Sequence, residues 1–174
     1  MLKLIIFAIV SSGIVLLSWK SMLNRRSHGF FRFFAFESIL VLFLLNVEYW
    51  FRDPFSVSQV ISWFLLVSSI ILAVQGFYLL HEIGKPKYVI EDTTVLVNRG
   101  IYKYIRHPLY GSLLLLGWGI FFKNPSFLPG GLVLVATASL IATAIVEEAE
   151  NVQKFGADYA AYMKTTKRLI PFLF

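Results

Sequence analysis

Long blocks of apolar residues, separated by short polar stretches, dominate the chain. A helix of about 20 apolar residues crosses the hydrocarbon core of a bilayer. Five blocks approach or exceed that length: Leu2–Trp19, Phe30–Phe51, Val57–Leu80, Pro108–Phe122 and Phe127–Val146. The fourth is the shortest, and it either needs part of its flanking loop to complete a span or only dips into the membrane. We interpret the pattern as an all-α, multi-pass transmembrane protein with about five helices.

Turn signals predict where the blocks are connected. Asp53-Pro54 and Asn124-Pro125 indicate breaks before the third and fifth blocks. His107-Pro108 indicates the start of the fourth helix, because proline suits the first helical turn. In the long third loop, the β-prone runs 88–90 and 94–97 predict extended segments or a small hairpin.

The tail carries a helical pattern of its own. Val152, Phe155, Tyr159 and Tyr162 lie three or four residues apart, which predicts an amphipathic helix over Glu148–Tyr162. We expect one membrane domain over 1–174, in which 1–81 supplies three spans. The second half, 82–174, contains the long third loop, the last two blocks and the tail.

Composition supports a membrane protein and removes several other classes. The chain is 57% hydrophobic, above the 45–50% or so that is usual for soluble domains. It has no cysteine, which excludes disulfides, thiolate metal sites and a cysteine nucleophile. The net charge is +6, but the basic residues flank apolar blocks and form no single patch, so we expect no nucleic-acid partner. The first block is longer than the usual apolar core of a signal peptide, about 7–15 residues, and it is followed by basic residues, so we expect it to be retained.

The distribution of basic residues predicts the orientation. Thirteen of the sixteen lysines and arginines fall in alternate connections and in the tail. They are Lys20, Arg25, Arg26, Arg32, Lys85, Lys87, Arg99, Lys103, Arg106, Lys154, Lys164, Lys167 and Arg168. The other side carries only Lys3, Arg52 and Lys123. Because cytoplasmic loops are enriched in positive charge, we expect an outer amino terminus and a cytoplasmic loop and tail. In a bacterium the membrane would be the inner, or plasma, membrane.

Two polar clusters lie on the predicted cytoplasmic side. Arg106 and His107 precede a helix start, where backbone N–H groups and the helix dipole favour an anion. They are candidates for a carboxylate or phosphate cradle, or for simple interfacial anchors. Glu147 and Glu148 close the fifth block and could hold a cation, or form a solvated helix end. Neighbouring residues on a helix point about 100° apart, so only one of the two is expected to face a ligand.

Ionisable residues inside membrane segments are functional candidates. Glu37 lies within the second block and either lines a cavity or makes an interhelical hydrogen bond. The chain has no Gly-rich phosphate loop, HExxH pair or Gly-x-Ser-x-Gly elbow, so hydrolase and metalloprotease chemistry has no support and we expect no metal site.

The polar clusters belong to a longer ordered set of motifs. The set runs Leu96-Val97-x-x-Gly100-Ile101-Tyr102, Arg106-His107-Pro108-x-Tyr110, Glu147-Glu148, Phe155-Gly156-x-x-Tyr159-x-x-Tyr162 and Pro171-Phe172. It resembles the isoprenylcysteine carboxyl methyltransferase family and its relatives, the phospholipid N-methyltransferases, over roughly residues 85–174. The pieces are individually weak, but their order and spacing are specific.

The resemblance implies a membrane enzyme that uses S-adenosyl-L-methionine and methylates a lipophilic or lipidated acceptor drawn from the membrane. It also implies that 82–174 is the cofactor-binding catalytic half, in which the cytoplasmic loop, the start of the fourth helix and the amphipathic tail helix form a cofactor pocket. The implied cofactor contacts are Thr94, Val95, Leu96, Val97, Tyr102, His107, Pro108, Leu109, Tyr110 and Glu147. The candidate catalytic residues are His107, Tyr110 and Glu147, together with Glu37, whose candidacy comes from its place in the second block and not from the resemblance. His107 would hold the cofactor carboxylate, Glu147 its ammonium or a hydroxyl, and Tyr102 or Tyr110 its adenine or sulfonium.

One departure from the resemblance bears on the acceptor. The prenylcysteine enzymes have an acceptor-binding arginine where this chain has Thr143, which weakens the case for a prenylcysteine carboxylate. Another lipid-like carboxylate, a thiol or an amine stays open, and the last two need a base such as Glu37, Glu148 or water. Two other hypotheses remain: an NADPH-dependent sterol-type reductase, with a similar Arg-His-Pro-x-Tyr region, and a non-enzymatic helical membrane protein or small transporter.

Overall fold

The computed structural model describes residues 1–24, 27–85 and 93–171. These residues form six α-helices, which are α1 (Leu2–Met22), α2 (His28–Asn46), α3 (Val57–Glu82), α4 (Pro108–Phe121), α5 (Phe127–Phe155) and α6 (Ala157–Thr165). Short 3-10 helices lie at Val47–Tyr49 and Gly100–Lys103. Within the described residues, α1, α3, α5 and the stretch His28–Tyr49 are long and apolar enough to span a membrane, and α4 is a shorter apolar helix. The predicted all-α, multi-pass architecture is confirmed.

Two details of the tail and loop differ from the sequence prediction. A single helix over Glu148–Tyr162 is wrong, because α5 continues past Val146 to Phe155. Gly156 then adopts a φ of 59°, a left-handed conformation that glycine tolerates, and α6 begins at the next residue.

Of the two β-prone runs predicted to form extended segments or a small hairpin, the structure describes only the second. Residues 94–97 contain no strand; instead the N–H groups of Thr94 and Val95 donate to Gly84 O at 2.8 and 3.3 Å, next to the end of α3. The first half of that prediction, 88–90, lies outside the described residues. So do Arg25, Arg26 and Lys87 of the charge pattern and Phe172 of the last motif.

The described chain divides into two compact units. The first unit comprises Met1–Val67 and Leu114–Glu147, and the second comprises Ser68–Leu113 and Glu148–Phe174. The halves 1–81 and 82–174 expected from the sequence are a different division, and their roles stay predictions.

In the first unit, α1 and α2 lie side by side in opposite directions. The Lys3 ammonium pairs with Glu48 at 2.6 Å, and the Ser11 hydroxyl donates to Glu37 Oε1 at 2.9 Å. One contact joins the start of α1 to the residues just after α2, and the other joins the two helices near their middles. These two contacts show that α1 and α2 run antiparallel.

Small and polar residues join the other helices of the first unit. The Ser62 hydroxyl of α3 donates to the Gly119 carbonyl of α4 at 2.6 Å. The Trp118 indole donates to Thr137 of α5 at 3.2 Å. A β-carbon on Gly119 would lie 2.9 Å from the Leu66 side chain, so the glycine allows close approach. Such contacts are typical of helix packing in membranes.

In the second unit, the tail pairs with the segment before α4. Ile105 and Lys167 form a parallel bridge, in which the Lys167 N–H donates to Tyr104 O and the Arg106 N–H donates to Lys167 O. The His107 N–H donates to Arg168 O at 3.1 Å. The tail is thus fixed beside the start of α4, the region that carries the predicted site.

Candidate active site

Glu148 is the centre of a buried cluster of charges in the second unit. Its two carboxylate oxygens accept hydrogen bonds from Arg106 Nε and Arg168 Nη2, each at 2.8 Å. His107 Nε2 lies 3.5 Å from Glu148 Oε1. The side chains of Glu148 and Arg106 are only 5% and 7% exposed. A carboxylate so enclosed stays buried because it is paired and hydrogen-bonded.

Arg106 also ties the cluster to the end of α6. Its Nη1 donates to the carbonyls of Met163 and Thr166 and to the Thr166 hydroxyl. One guanidinium therefore connects the start of α4, the end of α5 and the tail. The fork of donors on arginine suits this role better than the single ammonium of a lysine.

Aromatic residues surround the cluster. The rings of His107 and Tyr110 are stacked, with centroids 5.5 Å apart and planes 18° apart. The Tyr162 hydroxyl donates to Tyr102 O at 2.6 Å, and the Tyr102 hydroxyl lies 3.4 Å from Gly76 O. Burial raises the pKa of the Tyr162 hydroxyl above its usual value, so it remains protonated as a donor.

A polar cavity of about 690 Å³ lies between the loop and the tail of the second unit. Thr94, Val95 and Leu96, three of the cofactor contacts that the resemblance implies, line it from the loop. Its other lining residues are Asn98, Lys103, Phe155, Asp158, Ala161, Tyr162, Thr165 and Thr166. This volume falls within the range of about 300–1,000 Å³ that is usual for small-molecule sites.

A second cavity of about 440 Å³ in the same unit is almost entirely apolar. Phe77, Tyr78 and His81 line it from α3, and Leu109 lines it from α4. The Phe77 and Tyr78 side chains are more than half exposed on the helix surface. The cavity therefore suits a hydrocarbon group and not a charged one.

The predicted cofactor contacts of the second unit, all except Glu147, fall into three groups. Thr94, Val95 and Leu96 line the polar cavity, whereas Leu109 lines the apolar one. The remaining members of the second unit are buried: Val97, Tyr102, His107, Pro108 and Tyr110.

The predicted acidic residues of the first unit have local partners or neighbours. Glu37 accepts the hydrogen bond from Ser11, so it takes part in the interhelical contact considered from the sequence. Glu147 is half-buried and directly precedes Glu148 on α5. Thr143 is fully buried, and its hydroxyl donates to Ser139 O at 2.7 Å within α5. The catalytic roles of Glu37 and Glu147 stay predictions.

Sequence reasoning missed several residues of the site. It did not predict Arg168 as a partner of Glu148, nor Lys103 and Asp158 as cavity residues. The signal for Arg168 was available only as a basic residue in the tail, twenty positions after its partner. For Asp158 the signal was an acid on the polar face of the amphipathic pattern.

A family model described as phospholipid methyltransferase matches residues 57–158. No curated protein and no solved structure matches the chain.

Proposed function

Since the chain belongs to the phospholipid methyltransferase family, and so is an integral membrane methyltransferase, we propose that it methylates a lipophilic acceptor with S-adenosylmethionine. The observation that carries the proposal is the polar cavity, because the loop segment 94–96 implied for the cofactor and the tail both line it. In the proposed orientation this cavity is on the cytoplasmic side, in agreement with the excess of basic residues in the loop and tail.

The residues of the polar cavity fit the groups of S-adenosylmethionine. Lys103 offers a cation for its carboxylate, and Asp158 offers an acceptor for its ammonium or ribose hydroxyls. Phe155 and Tyr162 offer flat rings for the adenine. When bound, the cofactor supplies an already activated methyl group. The chain therefore has chiefly to hold the reacting groups in line, about 3–3.5 Å apart.

We assign a positioning role to Glu148 and its two arginines. Both carboxylate oxygens already accept charged hydrogen bonds, so Glu148 is poorly suited to take a proton from an acceptor. By tying α4, α5 and the tail together, the cluster instead fixes Tyr162 and Thr166, which line the polar cavity. The catalytic roles expected for His107 and Tyr110 in the second unit, and for Glu37 and Glu147 in the first, stay predictions.

The acceptor is proposed to place its hydrocarbon part in the apolar cavity. This cavity is lined by Phe77, Tyr78 and Leu109 and has almost no polar surface. Thr143 is uncharged, and its hydroxyl already donates within α5, so it offers no cation for an acceptor carboxylate. A lipid amine is consequently the first acceptor class to test, and a lipid acceptor agrees with the family's description.

The test of the cofactor uses calorimetric titration of the purified protein with S-adenosylhomocysteine and, separately, with NADPH. We expect binding of the first and none of the second. Asp158→Asn should weaken that binding by about 1–3 kcal/mol, the range for losing a charged hydrogen-bond partner. Glu82→Gln, an exposed acid at the end of α3, is the matched control and should bind as wild type does. Binding of NADPH alone would refute the proposal.

The acceptor is tested by incubating the protein with methyl-labelled cofactor in native lipid extract. Mass spectrometry of the labelled products should find the methyl group on a lipid-soluble molecule. Asp158→Asn should reduce the labelling, whereas Glu82→Gln should not. Cofactor binding without any labelled lipid product would contradict the acceptor class while leaving the cofactor assignment intact.

A further inference from the structure

A second polar cavity, of about 500 Å³, lies in the first unit, where two connections between helices meet. Arg52 and Ser56 line it from the connection between α2 and α3, and Gln59 lines it from the start of α3. Lys123 and Asn124 line it from the connection between α4 and α5. The proposed methyl transfer uses none of these residues.

Lys123 is a buried cation in this cavity. The residue is 4% exposed, and its Nζ donates to Gln59 Oε1 at 3.0 Å. The same ammonium lies 3.6 Å from the ring centre of Trp63 and 5.2 Å from that of Trp50. Across residues 1–24, 27–85 and 93–171, no carboxylate forms an ion pair with it. Its neighbours therefore favour a positive charge without neutralising it.

Burial also makes this charge costly. It lowers the pKa of the Lys123 ammonium from its usual value, because the charged form loses hydration. An anion beside the ammonium would offset that cost. The cavity is thus better suited to a negatively charged ligand than to a neutral one.

Two further features of the cavity favour an anion. Helix α3 begins at Val57, and the first turn of a helix presents N–H groups and a positive dipole end. Arg52 lies on the lining and its side chain is 68% exposed. Its Nε is 3.8 Å from Asp53, the one acid among the lining residues, whose side chain is 81% exposed. A loose, solvated ion pair of this kind leaves the guanidinium accessible.

The surroundings indicate where such an anion would come from. Phe51 and Phe55 of the same connection, and Val57 at the start of α3, are each more than three-quarters exposed. The indoles of Trp50 and Trp63 lie against Lys123, and tryptophan is enriched at the level of lipid headgroups. Apolar side chains that would contact acyl chains therefore adjoin a cationic cavity.

We propose that this cavity binds a phosphate ester, carried as the headgroup of an anionic membrane lipid, with Lys123 and Arg52 as its cationic contacts. The start of α3 supplies additional donors. The site is separate from the proposed methyl-transfer cavity in the residues it uses, so it stands or falls independently of the proposed function.

The experiment is native mass spectrometry of the purified full chain, stripped of lipid and titrated in detergent with phosphatidylglycerol or phosphatidylcholine. We expect one phosphatidylglycerol to be retained in preference to phosphatidylcholine. Lys123→Met should weaken phosphatidylglycerol binding by about tenfold or more. Lys3→Met is the matched control: it removes the same charge from the first unit, at a lysine paired with Glu48, and should change binding less than about twofold.

Arg52→Gln keeps the proposal testable if Lys123→Met fails to fold. Because the Arg52 side chain is mostly exposed, the variant should fold, and it should bind phosphatidylglycerol roughly threefold more weakly. Glycerol 3-phosphate, added as a competitor, distinguishes the two sources of the phosphate ester. If it does not displace phosphatidylglycerol, the ligand is the lipid. If it displaces phosphatidylglycerol at equal concentration, the ligand is a free phosphate ester at the same site. Equal retention of the two lipids overturns the proposal, as does unchanged affinity in the folded variants. Lys123 would then be an interfacial anchor only.

Discussion

Glu148 accepts charged hydrogen bonds from two arginines, Arg106 and Arg168, whose side chains are 7% and 22% exposed. Glu148→Gln keeps the shape of the side chain but removes the negative charge that both guanidinium groups contact. Removing one partner of a buried ion pair typically costs about 3–5 kcal/mol. We therefore expect a large drop in the thermal unfolding midpoint, measured in detergent.

Two other acidic residues provide control variants for this prediction. Glu82→Gln, on the exposed end of α3, should stay within about 0.5 kcal/mol of wild type. Glu147→Gln, the neighbour on α5, should lower stability much less than Glu148→Gln. If Glu147→Gln is the more destabilising of the two, the central role of Glu148 is wrong.

The buried hydroxyl of Tyr162 leads us to expect that the stability of the protein falls at high pH. Its hydroxyl donates to Tyr102 O, and burial raises its pKa in the folded state. The contribution to stability is fully present below the unfolded-state pKa of about 10, and it is lost as pH rises above that value towards the raised folded-state pKa. Unfolding midpoints between pH 8 and 11 should therefore fall for wild type.

Tyr162→Phe separates this residue from the other tyrosines. At pH 8 the variant should be less stable by about 1 kcal/mol, because a buried hydrogen bond is missing. Above pH 10 its midpoint should fall less steeply than that of wild type. Parallel pH curves for the two proteins would show that Tyr162 does not titrate as argued.

The close packing of α4 against the tail depends on a glycine, Gly111. A β-carbon at Gly111 would lie 2.9 Å from the Leu169 carbonyl and 3.2 Å from Leu72. Since the first contact is with backbone, Gly111→Ala should displace the tail and cost about 1–3 kcal/mol. Gly131→Ala is the control, because no atom lies within 4 Å of its β-carbon and alanine favours a helix. Equal midpoints for both variants would contradict the close packing of α4 against the tail.

The helices were predictable from sequence because hydropathy is a local property. Four spans and the shorter α4 follow directly from apolar length, and Pro108 marks the start of α4. The pattern could not show that α5 continues to Phe155, since Phe155, Tyr159 and Tyr162 keep helical spacing across the break at Gly156. The β-prone run 94–97 forms no strand for a different reason: strand propensity depends on a partner, and the N–H groups of Thr94 and Val95 bond to Gly84 O instead.

The charge cluster was only half predictable. Helix geometry shows that just one of Glu147 and Glu148 can face a given ligand or partner. It does not show which, because the choice depends on Arg106, forty-two residues earlier, and on Arg168, twenty residues later. By contrast, only the resemblance predicted Thr94, Val95 and Leu96 as cofactor contacts. They line the polar cavity, and their contact with a cofactor stays a prediction.

The orientation of the whole molecule can be tested directly because the chain has no cysteine. Helix α5 spans Phe127–Phe155, with the exposed residues Ser126 just before its first residue and Lys154 near its last. At a rise of 1.5 Å per residue, a helix of 29 residues is about 44 Å long, enough to cross the bilayer and place its ends on opposite sides. A membrane-impermeant maleimide should therefore label Ser126→Cys in intact cells, and label Lys154→Cys only after permeabilisation. The reverse pattern would place the tail outside, and labelling of both in intact cells would show that α5 does not span the membrane.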